Sequence, residues 1–75
     1  MKYDFVKDTM TIDGKDYPLR DFRKWLIINH EELVKGHFIK AIKVMDYTKF
    51  TYDWQTIYFK ASEYGLLTDY LKTLK

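Results

Sequence analysis

The sequence contains no cysteine, one proline, one serine and only three glycines in 75 residues. The lack of cysteine excludes a disulfide framework, a thiolate zinc site and a cysteine nucleophile, so we expect a reducing compartment. No stretch longer than six residues is free of charged side chains, whereas a membrane-spanning helix needs about 20 apolar residues. The first residues lack the apolar segment of a secretory signal. We therefore expect a cytoplasmic protein that does not enter a membrane.

Side chains that could carry catalysis are also few. Ser62 precedes an apolar periodic run, which is typical of a helix cap. His30 and His37 are seven residues apart, too far to share a metal ion on one helix. Glu31 and Glu32 are adjacent and would point in different directions, and no glycine-rich phosphate loop is present. We expect no catalytic residue, no metal site, no cofactor and no enzymatic activity.

Two residue classes are abundant instead. Lysine outnumbers arginine eleven to two, and the chain carries seven tyrosines, five phenylalanines and two tryptophans. Each aromatic side chain brings about 150–250 Å² of surface, and a domain of about 60 residues buries only about 60% of the surface that its unfolded chain exposes. Several aromatic side chains should therefore remain on the surface, where they favour a partner or self-association.

The N-terminal half predicts a hairpin followed by a helix. Asp13-Gly14 supplies the positive-φ turn of a hairpin over residues 9–17, and Pro18 suits the first turn of a helix. Asn29 marks a break in this helix, and Gly36 is expected to end it. The apolar face of the helix contains Leu19, Phe22, Leu26 and Leu33, with Trp25 alongside as a further core residue.

The C-terminal half is more ambiguous. Residues 37–46 fit a helix or a strand, and we favour the strand because the segment is rich in β-branched residues. Residues 49–59 alternate with period two and predict a strand, although a helix starting at Asp53 competes with it. Ser62 is then expected to cap a last helix that places Tyr64 and Leu67 in the core.

This element order predicts one small α+β domain over residues 1–75. Its expected layout is an N-terminal β-hairpin, a helix, an antiparallel strand pair and a C-terminal helix.

Aromatic residues lie among the lysines between positions 35 and 60. This pattern is typical of surfaces that stack the bases of single-stranded nucleic acid and track its backbone. The net charge of +2 is small for such a role, however, and arginine is nearly absent. Sequence-tolerant nucleic-acid binding through a Lys/aromatic surface is therefore the alternative function, and nucleic acid is the less favoured partner.

Residues 55–59, Gln55-Thr56-Ile57-Tyr58-Phe59, resemble the pentapeptide with which bacterial proteins dock on the sliding clamp of DNA polymerase. Gln55 and Phe59 match that pattern, whereas Thr56 and Tyr58 stand where leucine is usual. The resemblance implies that bulky side chains fill an apolar groove while the Gln55 amide hydrogen-bonds at its rim. An ordinary strand end is the structural alternative for the same residues.

The whole chain, in its length, lack of cysteine, aromatic content and preference for lysine, resembles the small early proteins of phages that infect low-GC Gram-positive bacteria. This resemblance implies a host-takeover inhibitor that works in the host cytoplasm, and the sliding clamp is the first candidate target.

We therefore expect a non-catalytic protein-binding module that sterically blocks a host protein. A homodimer formed through a strand edge in 37–46 or 49–59 is a further expectation. The predicted contact residues are Tyr47, Phe50, Tyr52, Trp54, Gln55, Tyr58 and Phe59, with Lys40, Lys43 and Lys49 as a basic rim.

Overall fold

A computed structural model describes residues 2–74 and has α+β architecture. Within this range the chain forms a three-stranded antiparallel sheet, a separate two-stranded antiparallel ribbon and four helices. In chain order the elements are β1 (Lys2–Asp4), β2 (Thr9–Ile12), β3 (Lys15–Pro18), α1 (Leu19–Asn29), α2 (Glu31–Lys35), β4 (Phe38–Val44), β5 (Tyr47–Tyr52), α3 (Trp54–Glu63) and α4 (Leu66–Thr73).

The predicted N-terminal hairpin is confirmed as β2–β3, and β1 adds a third strand to it. The register pairs Met10 with Tyr3 on one side and with Tyr17 on the other. Asp13 and Gly14 have φ values of 53° and 79°. Two-residue hairpin turns require such positive φ values, because their backbone twist then matches the twist of the strands. Met10 is fully buried, so this short sheet presents its middle strand to the core.

The predicted helix and its break are also confirmed. Leu19, Phe22 and Leu26 of α1 are fully buried, in agreement with their spacing on one helical face. The helix ends at Asn29, whose side-chain amide donates to the Trp25 carbonyl (3.0 Å). Asn29 therefore binds back to its own helix instead of capping α2.

The predicted strand over 37–46 is confirmed as β4, but the predicted strand over 49–59 is correct only as far as Tyr52. The chain becomes helical at Trp54 because the Asp53 carboxylate caps α3. It accepts hydrogen bonds from the Thr56 backbone N–H (3.3 Å) and hydroxyl (2.7 Å), which satisfies a donor that a helix start leaves free.

Ser62 was expected to cap the last helix, and this expectation is wrong. Ser62 lies inside α3, and its hydroxyl shares a hydrogen bond with the Tyr3 hydroxyl (3.1 Å). The chain turns at Gly65 (φ 76°) before α4 begins. The turn leaves Tyr64 60% exposed, so Tyr64 is not the core residue that its spacing suggested, whereas Leu67 does pack against the core.

The core lies between the three-stranded sheet and the helices. Phe22 is at its centre, with its ring 6.0 Å from that of Tyr58 and 4.9 Å from that of Tyr70. Across residues 2–74 none of the helices has the length and apolarity needed to cross a membrane. The buried residues are Met10, Leu19, Phe22, Leu26, Val34, Ile57, Tyr58, Ala61, Leu66 and Tyr70.

Candidate functional site

The β4–β5 ribbon, residues 38–52, contributes no buried residue to this core, and only Tyr52 at its base is a partly buried side chain packed against it. Neither strand contains a buried residue. Of the thirteen large apolar side chains that are exposed within residues 2–74, six lie on or at the tip of the ribbon. The ribbon is therefore rich in exposed apolar side chains for its length. These six side chains are Phe38, Ile39, Ile42, Met45, Tyr47 and Phe50.

Both faces of the ribbon carry apolar side chains. Because side chains alternate along a strand and directly opposed residues share a face, the register places Phe50 and Tyr52 on one face and Ile42 and Tyr47 on the other. On the first face, the ring of Phe38 lies 6.3 Å from Phe50 and 5.8 Å from Tyr52. No further strand pairs with β4 or β5 among residues 2–74, so both edges of the ribbon are free there.

The tip of the ribbon is a two-residue turn formed by Met45 and Asp46, between the paired residues Val44 and Tyr47. Met45 adopts a positive φ of 55° with 87% of its surface exposed. A left-handed conformation is unfavourable for a residue with a Cβ atom, and such turns usually contain glycine, asparagine or aspartate. The ribbon thus ends in a strained and exposed apolar residue.

The ribbon also holds the excess positive charge of the chain. Lys40, Lys43 and Lys49 are exposed on it, and Asp46 is its only acidic residue. The net charge of the ribbon, +2, equals the formal net charge of the whole sequence, so the positive and negative charges of the remaining residues cancel. A basic, partly apolar arm therefore projects from an electrically neutral body.

Aromatic contacts join the ribbon to the body. The ring of Trp54 lies 5.7 Å from that of Tyr52 and 5.8 Å from that of Tyr58. The Asp53 N–H donates to the His37 carbonyl (2.8 Å), which holds the two ends of the ribbon together. The hydrogen bonds from Thr56 also lower the pKa of the Asp53 carboxyl, so the cap is charged at neutral pH.

The predicted contact residues divide between the ribbon, its base and α3. Tyr47, Phe50 and the three rim lysines Lys40, Lys43 and Lys49 lie together on the ribbon. Tyr52 and Trp54 are half-buried at its base. Gln55 and Phe59 are exposed on α3, Phe59 to 71%.

Tyr58 is the predicted contact residue that the structure removes from the surface. It is only 1% exposed, and its hydroxyl accepts a hydrogen bond from Arg23 Nη1 (3.1 Å). Burial raises the pKa of Tyr58 despite the nearby guanidinium, so the phenol stays neutral. Because α3 turns Ile57 and Tyr58 inward, residues 55–59 present Gln55 and Phe59 but not the usual final pair of bulky side chains.

Arg23 connects this buried phenol to the loop before β2. Its guanidinium forms a bidentate ion pair with Asp8, with Nη2 3.0 Å from Oδ2. The hydrogen bond from Arg23 lowers the pKa of Asp8, and Asp8 in turn raises that of Arg23. The pair joins α1 to the N-terminal loop, which is a structural role.

Sequence reasoning missed four of the exposed apolar side chains of the ribbon. Phe38, Ile39, Ile42 and Met45 are exposed but were not among the predicted contacts. A signal was present in the sequence: apolar residues occupy both alternating sets of positions in 38–45. Such a strand is typical of the interior of a sheet that is covered on both faces, yet here only β5 lies beside it.

Within residues 2–74, no group of three or more histidine, aspartate or glutamate side chains is placed to hold a metal ion. The ring of His30 packs against that of Trp25, 5.1 Å away.

No family model, curated protein or solved structure matches this chain.

Proposed function

We propose that the protein is a non-catalytic binding module that inserts its ribbon into a site on a larger protein and thereby excludes the normal client of that site. The observation that carries this proposal is the ribbon itself, whose apolar side chains are exposed on both faces. An isolated two-stranded ribbon is at best marginally stable in water. A partner that covers these faces would stabilise the ribbon and gain apolar contact area.

The charge of the ribbon indicates the chemistry of the partner. Lys40, Lys43 and Lys49 lie among the apolar side chains of the ribbon and give it an excess of positive charge, which favours encounter with an acidic protein surface. A second copy of the chain would bring the same positive charge to a shared strand edge, and lysine on an edge discourages such pairing. An acidic partner with an apolar depression therefore fits better than a homodimer.

The aliphatic side chains distinguish this function from nucleic-acid binding. Stacking on bases uses aromatic rings and arginine, whereas Ile39, Ile42 and Met45 offer neither, and the ribbon contains no arginine. These residues are 59%, 37% and 87% exposed and would remain in contact with water beside a phosphate backbone. Nucleic-acid binding stays the second candidate because of the three lysines and the exposed rings of Tyr47 and Phe50.

The sliding clamp of DNA polymerase is the first named target, as part of a phage-type inhibition of the host. Gln55 and Phe59, the two residues that fit the clamp-binding pattern, are both exposed. Tyr58 is buried, so this segment would have to bind through those two side chains alone or unfold locally. Competition with a clamp-binding peptide tests this target: displacement supports it, and its absence removes it.

The test of the module is a pair of tyrosine variants matched in exposure. Tyr47 on the ribbon and Tyr64 after α3 are each 60% exposed. In capture from a lysate of a low-GC Gram-positive host, Tyr47→Ser should weaken retention of a specific partner about tenfold, as loss of an interface anchor does. Tyr64→Ser should leave retention unchanged. Equal retention by both variants would exclude the ribbon as the docking element.

A salt titration against single- and double-stranded DNA separates the two candidate functions. Binding at low salt that falls steeply as salt rises would support the nucleic-acid function instead. Sedimentation of the isolated protein, at the concentrations used in the DNA titration, should give a monomer. A dimer that is dissociated by Tyr47→Ser would show instead that the ribbon pairs with the ribbon of a second copy.

A further inference from the structure

A second surface lies beside the base of the ribbon, between the outer side of α1 and the start of α3. It is an open groove of about 440 Å³. Its lining residues are Arg20, Asp21, Arg23, Lys24, Ile27 and Trp54. The groove contains both arginines of the sequence.

Two of the cations in the groove are less engaged within the protein than the third, although Arg20 also helps to lower the pKa of Asp8. Arg23 is already occupied by Asp8 and Tyr58. Arg20 and Lys24 are exposed and form no ion pair with any residue in the range 2–74. Because residues four apart lie on the same side of a helix, both charges face the groove that they line and are available to the carboxylates of one bound segment.

The rest of the lining is apolar, apart from one acidic residue. Ile27 is 46% exposed and Trp54 is half-buried. Asp21 lies in the same lining and would repel a ligand that is uniformly negative, such as a phosphate backbone. The Trp54 ring stacks on Tyr58, at 5.8 Å with 28° between planes, and the Arg23 guanidinium lies 6.0 Å from its centroid.

We infer that this groove binds a short acidic peptide segment, with a carboxylate on Arg20 and Lys24 and a neighbouring apolar side chain against Ile27 and Trp54. The combination of two unpaired cations with an adjoining apolar wall carries this assignment. It concerns a surface other than the ribbon and does not depend on the proposed function of the ribbon.

The experiment uses a blocked hexapeptide of alternating glutamate and leucine, with glutamine replacing glutamate in the control peptide. In a Trp25→Phe background, Trp54 is the only tryptophan, so its fluorescence reports occupancy of the groove. Calorimetry on the unaltered chain measures the same affinities without that substitution. The acidic peptide should bind and the glutamine peptide should bind at least tenfold more weakly.

Charge variants then locate the site. Exposed ion pairs contribute about 0.2–1 kcal/mol each, so Arg20→Gln and Lys24→Gln should each weaken the acidic peptide by about threefold and together by about tenfold. Lys72→Gln, the same charge change on α4 outside the groove, should have no effect. The inference is overturned by equal losses from Lys72→Gln, by equal affinity for both peptides, or by an oligothymidine that binds through Arg20 and Lys24 when the acidic peptide does not.

Discussion

Replacement of Met45 by glycine should stabilise the ribbon even though it deletes a side chain. Met45 holds φ at 55° and is 87% exposed, so glycine loses little packing. Holding a Cβ-bearing residue in the left-handed region costs about 1–2 kcal/mol. The greater freedom of glycine in the unfolded chain offsets about 0.4–1 kcal/mol of that gain. The expected net effect is a stabilisation of about 0.5–1 kcal/mol.

Hydrogen exchange of the ribbon amides measures this effect where it arises. Since 1.4 kcal/mol corresponds to a factor of ten, protection of the amides next to the turn should rise about two- to fivefold in Met45→Gly. Met45→Ala is the matched control, because it removes the side chain but keeps the unfavourable φ, and it should give no rise. Equal protection in both variants, or lower protection in Met45→Gly, would refute an origin in the backbone conformation.

Two further predictions concern the body of the protein. Phe22→Ala should lower the free energy of unfolding by about 3–5 kcal/mol, because Phe22 is fully buried. A chain of this length has only about 4–11 kcal/mol of stability, so circular dichroism should show partial or complete unfolding. The control Phe59→Ala, at an exposed position, should stay within about 0.5 kcal/mol of the parent. Asp8→Asn should lower the free energy of unfolding by about 0.5–1 kcal/mol at pH 7, because Arg23 lowers the pKa of Asp8 below its ordinary 3.8. A carboxyl whose pKa is lowered by folding stabilises the folded protein above its unfolded pKa, and this contribution is lost as the pH falls through the folded pKa. In urea unfolding, the free energies of the two proteins should therefore converge below about pH 4, and a constant difference at all pH values would contradict the ion-pair explanation. Asparagine tolerates the positive φ of 57° at this position, so backbone strain does not confound the comparison.

The sequence predicted those parts of the fold that local chemistry determines. Asp13-Gly14 specifies a hairpin turn through backbone conformation alone, and the spacing of Leu19, Phe22 and Leu26 specifies a buried helical face. The boundary at Asp53 was harder to predict. Phe50, Tyr52 and Trp54 are spaced as in a strand, but the Asp53 carboxylate caps a helix that begins at Trp54. The period of the aromatic residues carries no information about this one hydrogen-bonding side chain.

The candidate contact surface was only partly predictable for a different reason. The number of aromatic residues indicated that some rings stay exposed, and Tyr47, Phe50 and Phe59 do so. The number could not show which rings these are, because Tyr58 is buried only through the packing of α3 against Phe22 and the N-terminal strand. That assignment depends on the angle between elements far apart in sequence.

The apolar residues of the ribbon are not explained by the stability of the free protein. Exposed positions in a short ribbon could carry threonine, as Thr48 does, with little loss of buried area at Ile39, which is 59% exposed. The turn could carry asparagine in place of the strained Met45. The exposed apolar surface is instead increased by Ile39, Ile42 and Met45, which raises the risk of non-specific association. Residues that make the isolated molecule less stable and less soluble are expected where another molecule covers them, and this expectation applies to the ribbon from Phe38 to Tyr52.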